Sequence, residues 1–111
     1  MAGAIALNTY KTFRVDVTTG ITTAYTVPNG VASIHLFSAV ANVSSGITTV
    51  TVFHNRNNDR FELVKNYQIP TTDVLSPISG SLVLEVGDKI EIQGTTNNEA
   101  KFTISILESA K

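Results

Sequence analysis

The sequence predicts an all-β fold, an antiparallel β-sandwich of jelly-roll type with about eight strands. Three observations carry that expectation. Apolar residues recur at every second position in one segment after another, the period of a half-buried strand. Short clusters of Gly, Asn, Asp and Pro separate these segments. No segment shows a sustained helical period with capping residues. A chain of 111 residues is the size of one domain with one core, and the pattern places that domain at residues 10–111, after an N-terminal arm at residues 1–9.

The elements follow in order. In "FRVDV", Phe13, Val15 and Val17 fall on one face, with Arg14 and Asp16 on the other. "AYTV" gives a short strand, and Pro28-Asn29-Gly30 reverses the chain, since Pro presets φ and Asn-Gly tolerates positive φ. A long strand from about Val31 to Val43 places Ile34, Leu36 and Val40 on one face and Phe37, Ala39, Ala41 and Val43 on the other. A strand apolar on both faces should be covered on both sides. "SSG" turns the chain into "ITTVTVFH", and after a polar loop "RFELV" aligns Phe61 with Leu63. "NYQIPTTDVLSPISG" reads as the crossover between sheets, because Pro70 and Pro77 cannot donate to a central ladder. "SLVLEV" and "KIEIQG" form a hairpin through Gly87-Asp88, and "KFTISIL" closes the fold. The expected core is Phe13, Ile34, Leu36, Val50, Leu84, Ile90, Phe102 and Ile104.

Composition narrows the function. The net charge is −1, and the Lys and Arg residues are scattered, which disfavours nucleic acid as a partner. Without cysteine there is no disulfide framework, thiolate metal site or cysteine nucleophile. "MAGAIALNTYK" has an apolar patch too short to cross a bilayer and no positive charge ahead of it, so neither a signal peptide nor a membrane segment is expected. The sequon at Asn42 reads as a turn entry.

One stretch gathers polar groups of several kinds: "HNRNNDR", His54 to Arg60. His54 could serve as a base oriented by Asp59, with Arg56 or Arg60 binding an anion, but a base needs a nucleophile, metal or pocket beside it. The simpler reading is a hairpin tip in which residues 55–59 form the loop and His54 and Arg60 flank it as a cross-strand pair. On that reading the tip is an exposed protein contact surface, with His54, Arg56, Asn57, Asn58, Asp59 and Arg60 as interface candidates. His35, in the long strand, should be a partly buried histidine bonded to the backbone. The two histidines lack ligand spacing such as HExxH, so no metal and no cofactor are expected. Glu85 and Glu91 alternate with apolar residues and read as solvent-facing positions of a hairpin. No GxSxG elbow or phosphate-binding Gly-rich loop is present, and a noncatalytic protein is expected.

The segments "TTAYTVPNGVASI", "AVANVSS", "TVTVFHN", "ELVKNYQIP", "SGSLVLEVGDKIEI" and "FTISILE", in that order, resemble small virion structural proteins of tailed bacteriophages, of the type found in T4-like cyanophages. The resemblance covers nearly everything after about residue 8. It implies a noncatalytic protein made in the host cytoplasm and present in many copies on the virion, as capsid decoration or as a neck or tail accessory. Its partners would be the major capsid protein or neck and tail proteins, and other copies in a homo-oligomer. Ile5 and Leu7, in the arm, are further interface candidates, since a free apolar arm can lie across a neighbouring subunit; the same segment reads equally well as an edge strand of its own sheet. The alternative is a carbohydrate-binding β-sandwich for host attachment, suited to loops rich in Asn and Asp but lacking Trp.

Overall fold

The computed structural model describes residues 8–110. Nine strands run in the order β1 (Asn8–Asp16), β2 (Thr22–Thr26), β3 (Val31–Asn42), β4 (Thr48–Arg56), β5 (Asp59–Ile69), β6 (Val74–Leu75), β7 (Leu82–Leu84), β8 (Lys89–Gly94) and β9 (Ala100–Ala110). They form two sheets. One has the order β1-β9-β3-β6, with β7 also paired to β3; the other has the order β2-β8-β4-β5. Every pairing is antiparallel. First strand pairs with last, second with second-last, third with the β6–β7 segment and fourth with fifth. This nesting is the jelly roll expected from the sequence.

Turn chemistry sets the joints. Asn57 and Asn58 have φ of 55° and 64° and form a two-residue connection between β4 and β5. Positive φ at both positions matches the twist of the flanking strands, and asparagine tolerates it. The loop is therefore shorter than the expected 55–59, and Asn55, rather than His54, lies opposite Arg60; His54 lies opposite Phe61. Strand β5 runs on through "KNYQI" to Ile69, so the crossover begins at Pro70 and not at Asn66. The chain passes there from one sheet to the other, as expected, and adds the two-residue β6 on the way.

The core lies between the sheets and includes Val17, Val27, Val40, Val50, Val52, Ile69, Leu84, Ile90, Ile92, Phe102, Ile104 and Ile106. Of the residues expected inside, Val50, Leu84, Ile90, Phe102 and Ile104 are buried, and Phe13 packs half-buried against the cluster. Ile34 and Leu36 are corrections. Register slips between His35 and Phe37, so Leu36 is an extra residue in the ladder with β9. A bulge of this kind reverses the facing of everything beyond it. Val40 thus shares the inner face with Ser33, His35 and Ser38, all buried. Ile34 faces outward, half-buried beside Val83 and Leu107, and Leu36 is 45% exposed.

A buried polar row is tolerable only when its hydrogen bonds are complete. Here they are: His35 Nδ1–H donates to the Gly80 carbonyl at 2.9 Å, and Nε2 pairs with the Ser38 hydroxyl at 2.9 Å. The histidine is the backbone-bonded residue expected from the sequence. Asn42 is equally committed, its amide donating to the Gly46 and Ile69 carbonyls at 2.8 Å while its oxygen caps the turn at Ser44 N–H.

Candidate functional site

The opposed faces of the β4–β5 hairpin present different chemistry because side chains alternate along a strand. His54 and Arg56 share one face, and both reach Asp88, in the turn just before β8 and 1% exposed. Arg56 Nε donates to Oδ1 at 2.9 Å and its Nη2 to Oδ2 at 2.7 Å, a two-pronged contact that fits guanidinium to carboxylate. His54 Nε2–H donates to Oδ2 at 2.9 Å, as does the Glu85 backbone N–H. Asp88 also closes its own turn, its N–H bonding the Glu85 carbonyl at 2.9 Å across Gly87, whose φ of 85° favours glycine. Burial pushes the Asp88 carboxyl upward, but the Arg56 hydrogen bonds, the Glu85 N–H and His54 outweigh it and hold the group well below the usual carboxylate range. Arg56 is held above its ordinary value chiefly by its hydrogen bond to Asp88.

The other face carries a second buried carboxylate. Glu91 lies opposite Phe53 and is 2% exposed. Arg60 Nε donates to Glu91 Oε1 at 2.9 Å, and Asn55 Nδ2 donates to the same oxygen at 3.2 Å. This corrects the solvent-facing reading of Glu91. The residue does sit on the outer face of its sheet, but the hairpin's own side chains cover it. Glu85, by contrast, is exposed as expected.

A third buried acid lies at the opposite edge of the sandwich. The Tyr25 hydroxyl donates to Glu108 Oε2 at 2.6 Å and accepts from Ser33 Oγ at 2.7 Å, while Lys11 Nζ meets Glu108 Oε1 at 3.0 Å. Burial, and then the hydrogen bond to Glu108, push the Tyr25 phenol above its ordinary value. Glu108 is pushed up by burial, but its bonds from Tyr25 and Lys11 prevail and lower it.

The structure thus gathers His54, Arg56, Asn57, Asn58, Asp59 and Arg60 at one hairpin tip, and gives them different roles. Asn57, Asn58 and Asp59 are exposed. His54 is bonded to Asp88 and not to Asp59. Both guanidiniums anchor buried acids while staying about half exposed, 42% for Arg56 and 45% for Arg60. Ile5 and Leu7 lie outside the described residues. A shallow cleft at the tip is lined by His54, Arg56, Asn57, Asp59 and Phe61, the last 69% exposed. No group of three metal-ligating side chains occurs among the described residues, and every buried side-chain polar atom among them has a partner. Sequence reasoning missed the roles of Asp88, Glu91 and Glu108. The signal available for Asp88 was a Gly-Asp turn placed between strands.

No protein-family model matches the chain, and no curated protein sequence matches it. Solved structures do. One similar chain comes from the disulfide-linked pili of Bacillus endospore appendages, at 12% identity and a TM-score of 0.55, covering 100% of this chain and 99% of that one. Another comes from the acid-stable capsid of Helicobacter pylori bacteriophage KHP30, at 11% identity and a TM-score of 0.56, covering 94% of this chain and 88% of that one. At such identities the likeness is one of fold: this chain shares its β-sandwich with both.

Proposed function

We propose that this protein is a noncatalytic, multi-copy structural component of a phage virion of the T4-like cyanophage type, made in the host cytoplasm and decorating the capsid. Attachment at the neck or tail is the second location. The observation that carries the reading is the fold shared with a phage capsid chain along nearly the whole of both chains. The chemistry of the hairpin supports it, since the residues that could have formed a reactive site are tied into hydrogen bonds that hold the fold. The likeness to a pilus chain agrees with a structural role, although disulfide linkage of the kind named for those pili is closed to a chain without cysteine. The hairpin tip is the proposed contact with the major capsid protein. Asn57, Asn58 and Asp59 are open there, and the terminal Nη donors of Arg60 have no partner among the described residues. Cryo-electron microscopy of purified particles tests the proposal. Density for this fold at repeated capsid positions is the expected result; absence of the protein from particles would overturn it.

Exposed Phe61 beside Arg56, Asn57 and Asp59 favours one other reading, a carbohydrate contact with an aromatic face. A glycan array with the purified protein decides it, a specific hit lost in Phe61→Ala being the supporting outcome.

A further inference from the structure

The outer face of the β1-β9-β3-β7 sheet carries an apolar row that no element among the described residues covers. Phe102, Ile104 and Ile106 of β9 point into the core, so Thr103, Ser105 and Leu107 point out. Opposite Leu107 stand Tyr10 on one side and Ile34 on the other, and opposite Ile34 stands Val83. Residues directly opposite share a face. Tyr10, Leu107, Ile34 and Val83 therefore form one continuous line across four strands. The bulge at Leu36 adds to it, turning Leu36 and Phe37 outward next to the line, with Phe37 opposite Ser105. Tyr10 is 74%, Val83 63% and Phe37 53% exposed. Along β3 every outward residue, Ala32, Ile34, Leu36, Phe37, Ala39 and Ala41, is apolar. A strand of that composition belongs to a sheet covered on both faces.

We propose that this face is covered by the same face of a second copy, in a two-fold symmetric contact. Three features favour that occupant. Across β1, β9 and β3 no Asp, Glu, Lys or Arg lies in the apolar row or in the rows on either side of it, Asn8-Ser109-Ala32 and Thr12-Ser105-Phe37; the charged residues Arg14, Asp16 and Lys101 come in the rows beyond, Asp16 and Lys101 bonded to each other at 2.6 Å, and Glu85, two residues past Val83, is paired with Arg56 at 3.6 Å. An uncharged apolar face is complementary to itself, whereas a partner of opposite charge would find nothing to pair with. The exposed fractions of Tyr10, Leu36, Phe37 and Val83 amount to roughly 400 Å² at the usual side-chain areas. Two copies would bury about 800 Å² from these residues alone, and their rims bring the contact to about 1,000–1,200 Å², the lower end of the range for a specific interface and the size of a reversible one. Sheets packed face to face sit about 10 Å apart with strands near 30° to each other, the arrangement expected for this contact. The contact is independent of where the protein sits on a particle.

Sedimentation velocity of the full chain from about 1 to 100 μM tests it, with Tyr10→Lys, Val83→Lys and the hairpin-tip control Asn58→Lys. Tyr10 and Val83 are exposed, so the lysines fit the folded monomer. The expected result is a monomer–dimer equilibrium in the wild type and in Asn58→Lys, weakened more than tenfold in both face variants at unchanged melting temperature. A wild type that stays monomeric at 100 μM, forms a trimer or larger ring, or dimerises equally well with Tyr10→Lys and Val83→Lys would overturn the proposal. Failure here leaves the virion reading standing, since particle occupancy is measured separately.

Discussion

Replacing Asp88 by asparagine keeps the shape of the side chain and removes its charge, which makes it a direct test of the clamp between the hairpin tip and the β7–β8 turn. The carboxylate accepts from Arg56, His54 and the Glu85 N–H within 3.1 Å, with 1% of the residue exposed. An amide can still accept on one side, but its NH2 group then faces donors. Hydrogen bonds to a charged group contribute about 1.5–3 kcal/mol each, and part of that loss is returned because the variant no longer buries a charge. A net destabilisation of about 2–4 kcal/mol follows, or a melting temperature lower by roughly 10–15 °C. The pH dependence sharpens the test. Because the folded-state value of Asp88 is depressed, below about pH 4 the unfolded chain binds a proton that the folded chain does not, and stability falls as pH falls. The stabilisation is therefore fully present at neutral pH and is lost progressively below about pH 4. Urea unfolding of both proteins at pH 7, 4 and 2.5 measures the effect. The gap between wild type and Asp88→Asn should narrow by about 1–2 kcal/mol from pH 4 to 2.5. Other carboxylates, Glu108 among them, titrate in both proteins and cancel in the difference. A gap below about 0.5 kcal/mol at pH 7, or one constant across the range, refutes the clamp.

Three further outcomes are expected. Phe102→Ala should cost about 3–5 kcal/mol in urea unfolding, since Phe102 is fully buried in the core. Gly94→Ala should lower the melting temperature, because an added Cβ would stand 2.7 Å from Cγ1 of the buried, β-branched Val17; an unchanged thermal transition would show that this crossing can open. Asn58→Ala should reduce occupancy on purified particles without unfolding the protein, if the tip docks there, although alanine is strained at a φ of 64° and a modest loss of stability should accompany it.

The jelly roll was legible because its signals are local: period-two alternation, Asn-Asn and Gly-Asp at the turns, and prolines only between strands, Pro28 in the β2–β3 turn and Pro70 and Pro77 in the crossover. The inner face of β3 was not. Its "SIHLFSAV" offers an apolar side chain at either parity, and the bulge at Leu36 decides the facing through pairing with β9, which no alternation count contains. Strand β5 was cut short for a similar reason. Asn66 looks like a loop residue and does take a φ of 48°, but its N–H donates to Thr51 Oγ1 at 3.0 Å, which keeps the chain against β4.

The buried acids were illegible because a carboxylate's surroundings are set by partners distant in sequence. Asp88 meets Arg56 across 32 residues and Glu91 meets Arg60 across 31, so each acid read alone looks like a solvated hairpin charge. Once the pairs are seen, the tip itself changes character. In "HNRNNDR", Asn57, Asn58 and Asp59 stand exposed in the turn, while the residues on both sides of it, with both guanidiniums still about half exposed, are fastened on opposite faces of the hairpin to acids in and beside β8. A loop tip held this way has little conformational freedom left to lose on binding, and such preorganisation lowers the cost of docking. The arginines that looked like free docking groups in the sequence are better placed to hold the turn in shape. Arg56→Ala would therefore remove a donor from a buried acid as well as a surface charge, so a loss of particle occupancy in that variant is informative only beside its unfolding curve.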